Sequence, residues 1–202
     1  MAFRPGPPQP PGGGGDWESP KPDTYPAVIS AVWPVGIHVD KFQGKAPTAR
    51  EKAVVSFQLD EQDSKGRPFE VMMKVSVPRY WPSEKATLYN LAVQVLGPRA
   101  DTITDFWDMV GKPLQVQVRT NEKSGRAEVK GYLGLGRGQT APPLVVKHHP
   151  DKPVGLAKWM LENAISQDEA DRVNAEAEKA REATADPEPV PPRGEAEDDV
   201  PF

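Results

Sequence analysis

The segment AVVSFQLDEQDSKGRPFEVMMKVSV, residues 53 to 77, decides the fold. Apolar residues occupy every second position in each half, a period of two that is typical of β-strands with one buried face. A polar stretch with Gly66 separates the halves, and glycine readily adopts the positive φ of a tight turn. The segment therefore predicts an antiparallel hairpin with two sets of inward side chains, Ala53, Val55, Phe57 and Leu59, then Phe69, Val71, Met73, Val75 and Val77.

Three further segments extend this pattern on both sides of the hairpin. YPAVISAVWPVGIHV, residues 25–39, is apolar on both phases, and its Pro34 and Gly36 predict a bulge. LQVQVRT, residues 114–120, predicts a strand with Leu114, Val116 and Val118 inward. AEVKGYLGL, residues 127–135, predicts a last strand with Val129, Leu133 and Leu135 inward and Lys130 and Tyr132 outward.

A helix is predicted between the third and fourth strands. It spans residues 83–96, with Ser83 as N-cap and Gly97 and Pro98 at its end. The order of three strands, one helix and two strands is that of the five-stranded oligonucleotide-binding (OB) fold. The sequence therefore predicts a mainly β protein with an OB-fold barrel, a C-terminal helical segment and disordered tails.

Composition divides the chain into four regions. Residues 1–22 are rich in proline and glycine and predict a disordered arm, and residues 23–140 hold the predicted barrel. Residues 141–185 predict a linker and an exposed helical segment, with Ser166 and Glu169 at capping-box spacing. Residues 186–202 are acidic and broken by proline, which predicts a disordered tail.

Charge is distributed unevenly along the chain. Residues 1–161 contain 21 basic and 16 acidic side chains, a net charge of +5, whereas residues 162–202 contain 4 and 13, a net charge of −9. A basic body with an acidic tail is typical of a protein that binds a polyanion. The chain has no cysteine and no apolar run of membrane-spanning length, so we expect a cytoplasmic protein without a membrane partner.

Motifs for catalysis or metal binding are weak. The histidines are His38, His148 and His149, and without cysteine they predict no zinc site. The glycine-rich GYLGLGRGQT, residues 131–140, lacks the lysine and serine or threonine of a phosphate-binding loop. Acidic residues of the segment DEQD, residues 60–63, are ordinary turn formers. We therefore predict neither an enzyme nor a cofactor.

Basic and aromatic residues of the predicted barrel are the candidate DNA-binding residues. Single-stranded nucleic acid requires cations for its phosphates and flat rings for its unpaired bases. Outward strand positions, the PRYWP segment and two hairpin loops provide both, although a solvated polar face explains any one residue equally well. The candidates are Lys45, Lys52, Lys74, Arg79, Tyr80, Trp81, Arg119, Arg126, Lys130 and Tyr132.

The C-terminal sequence EDDVPF, residues 197–202, resembles the tip of bacterial and phage single-stranded-DNA-binding proteins. In that family an acidic run, an aliphatic residue, proline and a terminal phenylalanine dock onto replication, recombination and repair enzymes. The resemblance implies that Asp198, Asp199, Val200, Pro201 and Phe202 form a partner-docking site. The body is more similar to the divergent phage members, which implies a phage protein acting in the host cytoplasm.

Two functions are compatible with these features, whereas a third, an enzyme such as a nuclease, is disfavoured by the missing metal-ligand set. The first is a non-enzymatic single-stranded-DNA-binding protein that recruits repair and replication enzymes through its tip. The alternative is an adaptor whose barrel binds protein and whose tail imitates that tip. Self-association into a homo-oligomer remains open, because nothing in the sequence specifies an oligomeric state.

Overall fold

The computed structural model describes residues 18–41, 43–122, 124–136 and 138–184. Most of the predicted arm, the acidic tail and its docking tip lie outside the described residues. Within the described part, five strands form one antiparallel sheet in the order β3-β2-β1-β4-β5. The strands are β1 (Asp23–Asp40), β2 (Thr48–Gln62), β3 (Pro68–Ser76), β4 (Pro113–Thr120) and β5 (Ala127–Leu133).

Three α-helices occur in the described residues, α1 (Thr87–Leu96), α2 (Gly155–Glu162) and α3 (Gln167–Thr184). Two 3₁₀ turns, Gly97–Thr102 and Phe106–Met109, lie between α1 and β4. No helix in the described part of the chain combines the length and the apolar character needed to span a membrane. The prediction of a mainly β protein with a helix between strands 3 and 4 is confirmed.

The sheet is open rather than closed into a barrel. Cα atoms of β3 and β5 approach within 8 Å. Hydrogen-bonded pairing among the described strands nevertheless ends with β3 at one edge and β5 at the other. The five strands and their sequence along the chain are therefore as expected, whereas the predicted barrel closure is not observed.

The β2–β3 hairpin forms as the alternation predicts. Ala53 pairs with Val75, and Phe57 pairs with Val71. Gly66 has a φ of 74° in the connecting turn. The inward side chains of β2 are at most 1% exposed and belong to the main core, which also contains Leu88 and Leu91 of α1.

Bulges shift the register of β1 at two positions, and both faces of the strand are packed. The register with β2 shifts at Ser30 and again at Val35, beside the predicted bulge site. Gly36 has a φ of 79°, and a Cβ atom there would lie 2.8 Å from the Cβ of Ala164. Ile29 and Val32 enter the main core, whereas the opposite face enters a second core through Ala31, Trp33 and Val35. Both phases are apolar because both faces of this strand are covered.

A third bulge reverses the predicted phase of β5. Gln117 pairs with Gly131 and Val118 pairs with Val129, so Lys130 is the extra residue. After the bulge Tyr132 packs against the main core, whereas Leu133 is 64% exposed. The predicted inward Leu133 and outward Tyr132 are therefore wrong, because one inserted residue exchanges the faces of a strand.

The helix α1 begins later than predicted. The amide of Ala86 donates to the carbonyl oxygen of Ser83 at 2.9 Å, which forms a separate turn ahead of the helix. Ala86 itself is extended and is the N-cap residue in place of Ser83. Gly97, with a φ of 59°, ends the helix at the predicted position.

Residues 143–149, which we call the strap, cross the outward face of β1, β2 and β3. Gln58 Nε2 donates to the carbonyl oxygen of Pro143 at 2.7 Å, and its Oε1 accepts from the amides of Val145 and Val146 at 2.8 Å. Trp33 Nε1 donates to the carbonyl oxygen of His149 at 3.1 Å. The predicted linker is thus a packed part of the domain.

The helices α2 and α3 also pack against β1 and β2. Ala157 and Met160 of α2 pack into the second core. In α3 the buried residues are Ala170 and Ala177, and the Asn174 side chain bonds to both backbone groups of Ala49 at 2.9 and 3.2 Å. One face of the predicted exposed helix is therefore docked on β2.

Candidate nucleic-acid interface

A groove of about 960 Å³ lies where the β2 start, the β3–α1 connection and the first turns of α3 meet. Its apolar lining comes from Ile37, Ala49, Val77, Pro78, Pro82 and Ala86. The groove exists because β2 extends beyond the end of β3, so that Asn174 of α3 bonds to the free backbone edge at Ala49. Such a volume is typical of ligand-binding clefts.

Arg79 and Tyr80 are exposed neighbours that both line the groove. Tyr80 is 73% exposed, and the guanidinium carbon of Arg79 lies 5.5 Å from the centre of its ring. Both residues line the groove, in the connection that follows β3. A cation beside an exposed ring can bind a phosphate while the ring stacks on a base.

The polar lining of the groove contains charges of both signs. Arg50 and Lys85 are exposed and line the groove together with Arg79. Glu51 and Asp171 are the carboxylates that line it among the described residues. Lys85 was not among the sequence candidates, because it falls in the predicted helix and only the fold brings it next to the β2 start.

Lys52 is not on an open surface. It lies on the outward phase of β2, as predicted, but it is only 4% exposed. Its ammonium forms an ion pair with Asp40 and donates to Ser76 Oγ at 2.7 Å. A buried ammonium requires such partners. The ammonium of Lys52 is therefore paired within the fold and is not accessible to a phosphate.

Trp81 is part of the core packing rather than an open stacking platform. Its ring lies 5.1 Å from that of Tyr89 and 5.5 Å from that of Phe106. Its Nε1 donates to the carbonyl oxygen of Ala100 at 2.7 Å. Adjacent residues of the PRYWP segment thus differ, with Tyr80 outside and Trp81 inside.

Tyr132 is also held by the fold. Its hydroxyl donates to the carbonyl oxygen of Thr87 at 2.8 Å, and burial raises the pKa of the hydroxyl. Its ring packs against the main core. The predicted stacking position is therefore not an exposed ring.

Five other candidates are exposed cations at several places. Lys74 is on the outward phase of β3, and Lys45 is in the β1–β2 connection. Lys130 is the bulged residue of β5, and Arg126 is in the β4–β5 turn. Arg119 forms an exposed ion pair with Glu128 at 2.5 Å. None of these five lines the groove as described, so of the ten candidates the groove brings together only Arg79 and Tyr80.

A polar network joins the strap to the sheet. Glu70 Oε1 accepts from Ser30 Oγ at 2.9 Å and Ser56 Oγ at 3.1 Å, and lies 2.8 Å from His148 Nε2. Because the hydroxyls donate to Glu70, the imidazole is not placed to activate either serine as a nucleophile. Among the described residues no group of three or more metal-ligating side chains could hold a metal ion.

No model of a known protein family matches the chain, and no curated protein matches it. Function is therefore inferred from the groove, the charge distribution and the C-terminal motif.

Proposed function

We propose that this protein binds single-stranded DNA in the groove, with Tyr80 as a base-stacking platform and Arg79, Arg50 and Lys85 as phosphate contacts. The observation that carries the proposal is the exposed Arg79–Tyr80 pair beside an apolar-lined groove. An aromatic ring that is 73% exposed contributes little to the fold, whereas base stacking on such a ring stabilises a complex by about 1–3 kcal/mol.

The covered sheet face supports the choice of the groove over the strands. OB-fold proteins commonly bind oligonucleotides on the face of strands 2 and 3. Here the strap and α2 occupy that face, and Lys52 is buried there. A DNA strand would have to displace this cover, whereas the groove is open.

We also propose that the sheet is an OB-type barrel that opens between β3 and β5. The element order and the shared central strand β1 support this relation. The close approach of β3 and β5 is compatible with it as well. The protein would act without catalysis, in the cytoplasm, during replication, recombination or repair.

The second part of the proposal is that the acidic C-terminal tip recruits partner enzymes. Asp198, Asp199, Val200, Pro201 and Phe202 would dock onto partner enzymes, the ring in an apolar pocket and the carboxylates on a basic rim. Phe202→Ala keeps every carboxylate, so a pulldown from host extract should lose those enzymes while DNA affinity stays constant. Equal recovery by both proteins would remove the docking role.

The DNA-binding half is tested by fluorescence anisotropy with labelled single strands and duplexes. Tyr80→Ala and Arg79→Ala should each weaken single-strand binding, whereas Arg67→Ala should leave it unchanged. Arg67 is an exposed arginine paired with Asp63 in the β2–β3 turn, away from the groove, and serves as the matched control. Equal binding of duplex and single strand would contradict the proposal, and binding of partner enzymes without any DNA affinity would indicate the adaptor instead.

A further inference from the structure

Among the described residues, two carboxylates line the groove, Glu51 and Asp171, and phosphate binding alone does not explain them. Asp171 of α3 lines the groove and is exposed. A carboxylate repels phosphates, so the presence of Asp171 in the same lining as Arg79 and Lys85 lowers the affinity for a DNA backbone. The oxygen atoms of a carboxylate, however, can accept hydrogen bonds from the amino groups of bases.

The position of this carboxylate is fixed by the packing of α3. Asn174, one turn further along α3, bonds to both backbone groups of Ala49. Ala170 is 2% exposed, and the amide of Ile165 donates to the carbonyl oxygen of Ile37 at 2.9 Å. The segment of α3 that carries Asp171 is therefore anchored to the sheet on both sides of this residue.

One oxygen of Asp171 has a partner within α3. Gln167 Nε2 donates to Asp171 Oδ1 at 2.8 Å, and this is the contact that the described residues show for the carboxylate. A second oxygen remains able to accept from a ligand in the groove. Gln167 thereby orients the carboxylate without neutralising it.

We propose that Asp171 selects bases that present an amino group, so that the groove prefers cytosine over thymine in single-stranded DNA. Cytosine offers the N4 amino donor where thymine has the O4 acceptor, and the two bases are similar in size. A carboxylate attracts the amino group of cytosine and repels the O4 oxygen of thymine. This inference rests on the proposed DNA binding and adds base selectivity to it.

The test compares oligo(dC) and oligo(dT) of equal length at one salt concentration. Full-length protein should bind oligo(dC) about fivefold more tightly, as one base-reading hydrogen bond allows. Asp171→Asn should lose this preference, because an amide both donates and accepts. Glu176→Gln is the control, since it removes a carboxylate from an exposed position of α3 outside the groove lining.

Each outcome distinguishes the two proposals. Equal affinity of the unmodified protein for both oligonucleotides would overturn the base selectivity and leave DNA binding intact. Equal tightening of both complexes by Asp171→Asn, with the preference retained, would show that the carboxylate only repels phosphate. Failure to bind either oligonucleotide would overturn the DNA-binding proposal and the selectivity with it.

Discussion

Single residues next to one another in this chain have opposite environments. Tyr80 is exposed beside Arg79, whereas Trp81 packs on Tyr89 and Phe106 and donates to Ala100. The PRYWP segment alone predicts only that aromatic residues follow β3. Tyr80 and Trp81 differ because the side chain of Tyr80 lies on the surface, whereas that of Trp81 lies against the core.

The contrast between these rings predicts two different mutant phenotypes. Trp81→Ala should lower the free energy of unfolding by about 3–5 kcal/mol, the usual cost of removing a packed large aromatic side chain. Tyr80→Ala should leave stability nearly unchanged and weaken single-strand binding by about 1–3 kcal/mol. Urea denaturation and anisotropy titrations on both variants measure the two effects. A Tyr80 variant that unfolds as easily as the Trp81 variant would contradict this assignment.

His38 predicts a pH dependence of stability. Burial lowers the pKa of His38, and the neighbouring Lys74 and Lys52 lower it further, while its Nε2 lies 3.0 Å from the carbonyl oxygen of Val35. Since the imidazole is easier to protonate when unfolded, its contribution is present above about pH 6.5 and is lost as pH falls through the folded-state pKa.

The replacement His38→Gln should therefore reduce the loss of stability on acidification. Urea midpoints measured between about pH 8 and pH 5 should fall less for this variant than for the unmodified protein. His149→Gln, at a mostly exposed histidine, controls for the removal of a histidine. Parallel midpoint curves for all three proteins would exclude the effect.

At the scale of elements, irregularities in the strands decide which side chains meet. The bulge at Ser30 exchanges the faces of β1, so that Ile29 enters the main core but Ala31 enters the second, and the bulge at Lys130 turns Tyr132 inward. The strap is attached differently, because its contacts come from the side chains of Gln58, Trp33 and Glu70 rather than from strand pairing. Its docking should therefore depend on a few residues.

Gln58→Ala is the sharpest test of strap attachment. The change removes three hydrogen bonds at once and leaves the amides of Val145 and Val146 without that acceptor. Hydrogen exchange followed by mass spectrometry should show faster exchange in residues 143–149 and little change in β4. Gln117→Ala, at an exposed position of β4, is the matched control. Unchanged exchange of the strap would mean that its contacts with Trp33 and Glu70 suffice to hold it.

At the scale of the whole molecule, the separation of charge governs how a polyanion approaches. The basic excess belongs to residues 1–161 and the acidic excess to residues 162–202. Part of that acidic region, α3, packs beside the groove. Attraction of DNA to the body and repulsion by the C-terminal region should both weaken as salt screens them.

Removing residues 195–202 should tighten DNA binding at low salt, because four side-chain carboxylates are lost. The difference from the full chain should shrink as salt rises, while both affinities fall with a slope near −0.7 per phosphate neutralised. A full-length variant with those four carboxylates replaced by amides, and Phe202 kept, should reproduce the tightening. Identical affinities at low salt would contradict competition by the tail.

The sequence by itself determined the strands, their order along the chain and the division of charge. A period of two along residues 53–77 and a run of acidic residues are local properties, so they can be read without knowing what lies nearby in space. Local sequence also predicted three details that the structure has: the inward side chains of β2, the turn at Gly66 and the end of α1 at Gly97.

Only the tertiary structure decided which outward positions remain open. Gln58 binds Pro143, which is 85 residues away, and Asn174 binds Ala49, which is 125 residues away. These contacts cover the sheet face that alternation marks as outward and form one side of the groove beside α3. On the same face Lys52 is buried with Asp40 and Ser76 as its partners. Alternation distinguishes the two faces of a strand, but whether a face meets water or another segment depends on long-range packing that no local pattern encodes.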